Sequence, residues 1–176
     1  MTDTPAADAN SSANGAANGN GGEGQAMPPQ IRILGQYIKD LSFENPNAPG
    51  GFTNQAPQIN VSVDVRVPGN QDNDYEIELR LTADAKVEDK QVFLVELVYG
   101  AVFRLENIPA QGLQPVLLIE CPRIIFPFAR RIIADMTRDG GFPPLMIDPI
   151  DFAALYRQRL DQQQAAQQGD APAGDA

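Results

Sequence analysis

Between Cys121 and Phe152 the apolar residues recur at helical spacing, in a chain that alternates like sheet over nearly everything before it. Ile125, Ala129, Ile132 and Met136 form one stripe, and the pairs Ile124 with Phe128 and Phe126 with Ile133 widen its apolar arc on both flanks. One sheet covers one side of such a helix, so the other flank requires a second partner, most simply another copy of the chain. Arg131 and Asp135 sit four apart on the polar side, and Gly140-Gly141 followed by Pro143-Pro144 ends the helix through a left-handed cap and a proline stop. Pro122 fits a first turn. Pro127 removes a backbone donor and crowds the carbonyl four residues back, so the helix is expected to begin near Pro122 or to kink at Pro127.

The alternating runs precede this helix. Ile31 to Glu44 reads as a strand with Tyr37, Lys39, Leu41 and Phe43 on one face and Ile38, Asp40, Ser42 and Glu44 on the other. The Pro-, Asn- and Gly-rich run from Asn45 to Gln58 suits a long crossover loop, with Phe52 as its one large anchor. Ile59, Val61, Val63, Val65 and Val67 then alternate with polar residues, as do Tyr75, Ile77, Leu79, Leu81 and Ala83 after a polar turn from Pro68 to Asp74. Val92 to Leu105 is apolar on both faces, and Gly100 within it marks a bulge or bend. Such a strand must be covered twice or pair with the edge of another molecule. Last, Asp148 before Pro149 reads as an N-cap, opening a helix striped by Phe152, Leu155, Tyr156 and Leu160 that ends near Gln164. The fold class is α+β: a four-stranded antiparallel sheet with a long crossover loop, one long helix and a shorter C-terminal helix packed on one face. Residues 1–29 and 165–176 hold almost nothing large and apolar to bury and are expected to be disordered tails flanking one domain at 30–164.

Function classes narrow by what the chain lacks. It has no histidine, which removes the usual general base and the commonest metal ligand, and with Cys121 as the lone cysteine neither a disulfide within the chain nor a zinc site is expected. Without an activating imidazole, Cys121 reads as a structural thiol. There is no phosphate-binding loop, so neither catalytic residues nor cofactors are expected. A net charge of −10 argues against nucleic acid and for basic or apolar partners. No run approaches the roughly eighteen apolar residues a membrane span needs. The start shows no basic segment leading into an apolar run and a cleavage site, and a cytoplasmic location is expected.

Three blocks, CPRIIFPFAR from Cys121, GFPPL from Gly141 and PIDFAALY from Pro149, with KDLSFENPNAP from Lys39 upstream, give the chain a resemblance to the SecB family of bacterial export chaperones over about Gln30 to Gln164. The resemblance implies a chaperone that keeps unfolded presecretory proteins competent for export without ATP and delivers them to the motor ATPase SecA, working as a homotetramer made of two dimers. It assigns Asp40, Glu44 and Glu96, with apolar Leu94, to contact with SecA. It implies a groove for unfolded chains bordered by the crossover loop and the helical segments, for which Phe52, Phe142, Leu145, Met146, Phe152 and Tyr156 are candidates. Aromatic residues at helical spacing are more often core, Phe126 first among them. Leu97 and Tyr99, with Val95 where family members often carry a second cysteine, stand where family strands build the oligomer, and Ile124 and Phe128 join them from the helix flank. The long N-terminal tail departs from the short start expected of the family. Competing readings are a carrier for a small apolar ligand or lipid, and a SecB-like chaperone dedicated to a toxin-antitoxin client.

Overall fold

The computed structural model of the protein describes residues 27–49 and 55–169. Four strands, β1 (Gln30–Glu44), β2 (Gln58–Gln71), β3 (Asp74–Val87) and β4 (Lys90–Glu106), make one antiparallel sheet in the order β1-β4-β3-β2. The hairpins β2-β3 and β3-β4 follow from short turns. β1 lies on the far side of β4, three strand spacings of roughly 4.8 Å from β2. β1 and β2 are the edges. β4, apolar on both faces, lies in the middle between β1 and β3, and needs no second molecule along its edge.

One face of the sheet is the core. Ile77, Leu79, Leu81, Ala83 and Ala85 from β3 and Phe93, Val95, Leu97, Tyr99, Ala101, Phe103 and Leu105 from β4 are buried there. Each large side chain of this kind contributes roughly 1.5–3 kcal/mol by leaving water. The helix α2 (Cys121–Asp139) lies on this face through Cys121, Ile125, Phe126, Ala129, Ile132 and Ile133. The expected stripe is therefore the packed one.

The helical run begins earlier than the prolines imply. α1 (Ala110–Pro115) leads through a π-turn at Val116–Glu120 directly into α2. The π-turn is closed by the Cys121 N–H donating to the Val116 carbonyl, one residue further back than in an α-helix. This shift in hydrogen-bond register comes just before Pro122, which has no N–H to continue the α pattern. Pro127 stays inside α2. At the other end Gly141 takes φ 90°, the left-handed conformation anticipated there, and the Phe142 N–H closes on the Thr137 carbonyl at 3.0 Å.

Other expectations shift. β2 runs on through a bulge between Arg66 and Gly69 to Gln71, so the turn shrinks to Asp72-Asn73, with Asp72 at φ 54°. The last helix, α3 (Phe152–Gly169), opens four residues after Asp148; its cap is Asp151, whose Oδ1 accepts the Ala154 N–H at 2.9 Å. α3 also continues past Gln164, so 165–169 of the expected C-terminal tail are helical, while most of the expected N-terminal tail lies outside the described residues. Gly100 sits at no irregularity: the bulges of β1 fall instead between Ile33 and Gly35 and between Ile38 and Asp40. The second of these breaks the alternation of β1. Tyr37 and Lys39 both reach Glu76 on the outer face, while Leu41 and Phe43 pack inward, against the reading that placed all four together. Among the described residues no helix is long and apolar enough to cross a membrane.

Candidate functional site

On the outer face of the sheet, β1 and β4 set four residues side by side. Glu44 pairs with Leu94, Ser42 with Glu96 and Asp40 with Val98. Because Val95 and Leu97 point into the core, Leu94, Glu96 and Val98 point out, and directly opposed residues across such strands have Cα atoms about 4.5–5.5 Å apart. Asp40, Glu44 and Glu96 are exposed and Leu94 is half-buried. None of the three acids makes an ion pair among the described residues.

The neighbouring acids are different. Lys39 Nζ donates to Glu76 at 2.8 Å and pairs with Glu78 at 2.5 Å, Arg80 reaches Glu78 at 3.1 Å, and the Tyr37 hydroxyl donates to Glu76 at 2.7 Å. The hydrogen bond from Lys39 holds the carboxyls of Glu76 and Glu78 below the ordinary glutamate range, and the same pairing raises Lys39. Asp74 is likewise held low by a two-point bond from Arg104, 2.7 Å at each contact. The acids of the outer face thus divide into a neutralised set on β3 and an unneutralised set around Leu94. The field that a basic partner meets comes from the second.

A groove with an apolar floor and a polar rim of Asp64, Gln158 and Gln162 lies on the other side of the sheet, along the β2 edge. Two neighbouring cavities of about 310 and 440 Å³ share Val65, Leu118, Tyr156 and Arg159, with Val63, Leu155 and Leu160 along their walls. Beyond the reach of the helices, Ile59 and Val61 on the same strand remain exposed. Arg159 spans the groove, donating to the Val65 carbonyl at 3.0 Å with Asp64 at 3.9 Å. Of the expected lining, Tyr156 is here. Sequence reasoning missed Val63, Val65, Leu118, Leu155 and Leu160 as lining. The signal was the valine stripe of β2, but nothing in the pattern says that this strand is an edge.

The remaining candidates are dispersed within the protomer. Phe152 is core, 1% exposed and edge-on to Phe126 at 6.0 Å. Phe142 packs on Phe93 at 5.1 Å, and Phe93 stacks on Phe43 at 6.0 Å, closing the end of the core near the helix terminus. Leu145 is half-buried beside the same core, and Met146, 62% exposed, borders a separate hollow of about 370 Å³ with Pro127, Arg130 and Pro144. Phe52 lies outside the described residues. Val95, Leu97 and Tyr99 are buried within the single protomer, as part of the core beneath α2. Ile124 and Phe128 are 38% and 46% exposed on the outward flank of α2. Cys121 is buried, and loss of solvation pushes its thiol up to about 12.

The sequence profile of the SecB family, described as preprotein translocase subunit SecB, matches residues 24–163. The protein-export protein SecB of Parvibaculum lavamentivorans is 59% identical over 151 residues, covering 85% of this chain and 90% of that one. SecB of a Bradyrhizobium species is 54% identical over 153 residues, with 85% and 94% covered. SecB of Afipia carboxidovorans is 47% identical over 174 residues, 98% of this chain and 99% of that one. Among solved structures, a SecB-like chaperone of Mycobacterium tuberculosis in complex with an antitoxin peptide shares the fold with TM-score 0.58 at 13% identity, covering 68% of this chain and 90% of that one. The chain belongs to the SecB family of protein-export chaperones.

Proposed function

We propose that this chain captures unfolded precursor proteins in the cytoplasm, holds them without ATP, and passes them to SecA while assembled as a homotetramer of two dimers. The observation that carries the motor contact is the separation of acids on the outer face: among the described residues Asp40, Glu44 and Glu96 make no ion pair around Leu94, while Glu76 and Glu78 are neutralised from within. A basic patch on SecA gains steering and a salt-dependent rim from the three acids, and Leu94 supplies an apolar anchor. The exposed apolar residues of the β2 edge and the groove beside α3 support client capture, since a strand edge offers backbone partners to any sequence. Ile124 and Phe128, and the exposed Ile31, Ile33 and Ile38 of the β1 edge, support assembly with further copies.

Holding needs no catalysis. A protein that binds only the unfolded state and is present at a hundred times its Kd opposes folding by about 2.7 kcal/mol, enough to delay slow or marginal folders. The motor contact is tested by calorimetric titration of SecA into the full chain at several salt concentrations. Asp40→Ala and Glu96→Lys each weaken binding and flatten its salt dependence, with sedimentation unchanged. Unchanged affinity in both variants contradicts the assignment.

A further inference from the structure

We infer that Lys39 is the positioning residue of the motor-docking face, and that it acts by locking the bulge of β1 that turns Asp40 and Glu44 outward. The inference rests on the docking face proposed above.

The phase of β1 decides which of its residues can meet a partner. Tyr37, opposite Gly100, faces outward. A strand continuing in phase from Tyr37 would carry Leu41 and Phe43 outward and turn Asp40 and Glu44 toward the core. The register shift between Ile38 and Asp40 inserts Lys39 as an extra residue, and beyond it the phase is reversed. Asp40, Ser42 and Glu44 then come opposite the outward positions Val98, Glu96 and Leu94.

What holds the extra residue is an anchor two strands away. Lys39 Nζ passes over β4 to Glu76 and Glu78 on β3, and Tyr37, the outward residue before the bulge, bonds the same Glu76. Glu78 is 4% exposed and is fixed in turn by Arg80. Gly100, paired with both Tyr37 and Glu78, has no side chain, and the Tyr37 ring crosses β4 to Glu76 through the space a Cβ there would take. The reversed phase is thus tied to β3 at the point of reversal, and β1, an edge strand with one neighbour, has no second ladder to impose it.

The sign of one substitution separates positioning from plain charge. Lys39 is a cation beside an acidic docking face. If it acted as a charge alone, Lys39→Met would make the face more negative and tighten binding of a basic partner. Positioning predicts the opposite, a weakening of about fivefold. Titrations of SecA against the full chain compare Lys39→Met, Lys39→Arg, Asp40→Ala and the double variant Lys39→Met/Asp40→Ala, with amide hydrogen exchange read over Ile38 to Leu41. The expected results are weaker binding and faster exchange in Lys39→Met, affinity largely kept in Lys39→Arg, and a double variant little weaker than Asp40→Ala. Unchanged or tighter binding by Lys39→Met, where Asp40→Ala weakens it, overturns the positioning role alone. No effect of Asp40→Ala overturns the docking face itself. The double variant Glu76→Ala/Glu78→Ala, which takes away both carboxylates that hold Lys39 and leaves Lys39 in place, weakens binding if the anchor matters, and no change there also overturns the inference.

Discussion

The ring of Tyr37 lies over Gly100 of the neighbouring strand, in the space a side chain at that position would take: a Cβ on Gly100 would fall 2.5 Å from the ring. Tyr37 is on an edge strand and 38% exposed, so Gly100→Ala pushes the ring aside and breaks its bond to Glu76. The expected cost is about 1–2 kcal/mol in urea unfolding. In a Tyr37→Ala background the same change is expected to be close to neutral, and a double-mutant cycle measures the difference.

Acid should loosen the outer face in a defined order. Lys39 holds Glu76 and Glu78 below the 4.5 of an unperturbed glutamate, so their stabilisation is complete above that value and is lost as the pH falls through their lower folded values. Unfolding midpoints followed from neutral pH downward therefore drop below pH 4.5. The gap between the native chain and Glu76→Gln is widest above 4.5 and closes below it. A gap that stays constant with pH contradicts the pairing.

Thr137 ties the end of α2 to the segment after it. Its hydroxyl donates to the Ile133 carbonyl at 3.0 Å and accepts the Leu145 N–H at 2.9 Å, fully out of contact with solvent. Thr137→Val keeps the shape and leaves that N–H unpaired, at an expected cost of about 1–3 kcal/mol. Thr137→Ser keeps the hydroxyl and loses a methyl group, at about 1 kcal/mol. Denaturant titration ranks the two, and equal costs would contradict the hydrogen bond as the main contribution.

The Cys121 thiol, pushed up to about 12 by burial, is in the wrong state and the wrong place to react. At neutral pH a thiol-specific chromogenic reagent is expected to label it only after denaturant is added. Rapid labelling of the folded protein would mean that the N-terminal part of α2 opens.

Much of the fold was legible because one face of each strand is buried. The strict alternation of Ile77, Leu79 and Leu81 fixed which side of β3 meets the helix, and the stripe through Ile125, Ala129 and Ile132 fixed the facing side of α2. β1 gave no such signal. It is an edge exposed over most of its length, so an extra residue at Lys39 costs no core packing and leaves no trace in the hydrophobic pattern. Gly112, Pro115 and Pro122 hid the start of the helical run, because each is a breaker by propensity and the π-turn that accommodates the last of them has no pattern of its own. The candidate docking acids were named from family likeness, whereas their lack of ion-pair partners among the described residues emerged with the structure. The β2 groove was out of reach for the same reason: a valine stripe reads alike on an edge and in the middle of a sheet.

The most direct test of the chaperone account is light scattering by a slowly refolding precursor, diluted from denaturant with and without the full chain and with no nucleotide. The account predicts that scattering is suppressed at a near-stoichiometric ratio by a species that sediments as a tetramer. A monomer or dimer that leaves aggregation unchanged, or a protein that copurifies with a stoichiometric small apolar ligand, would contradict it.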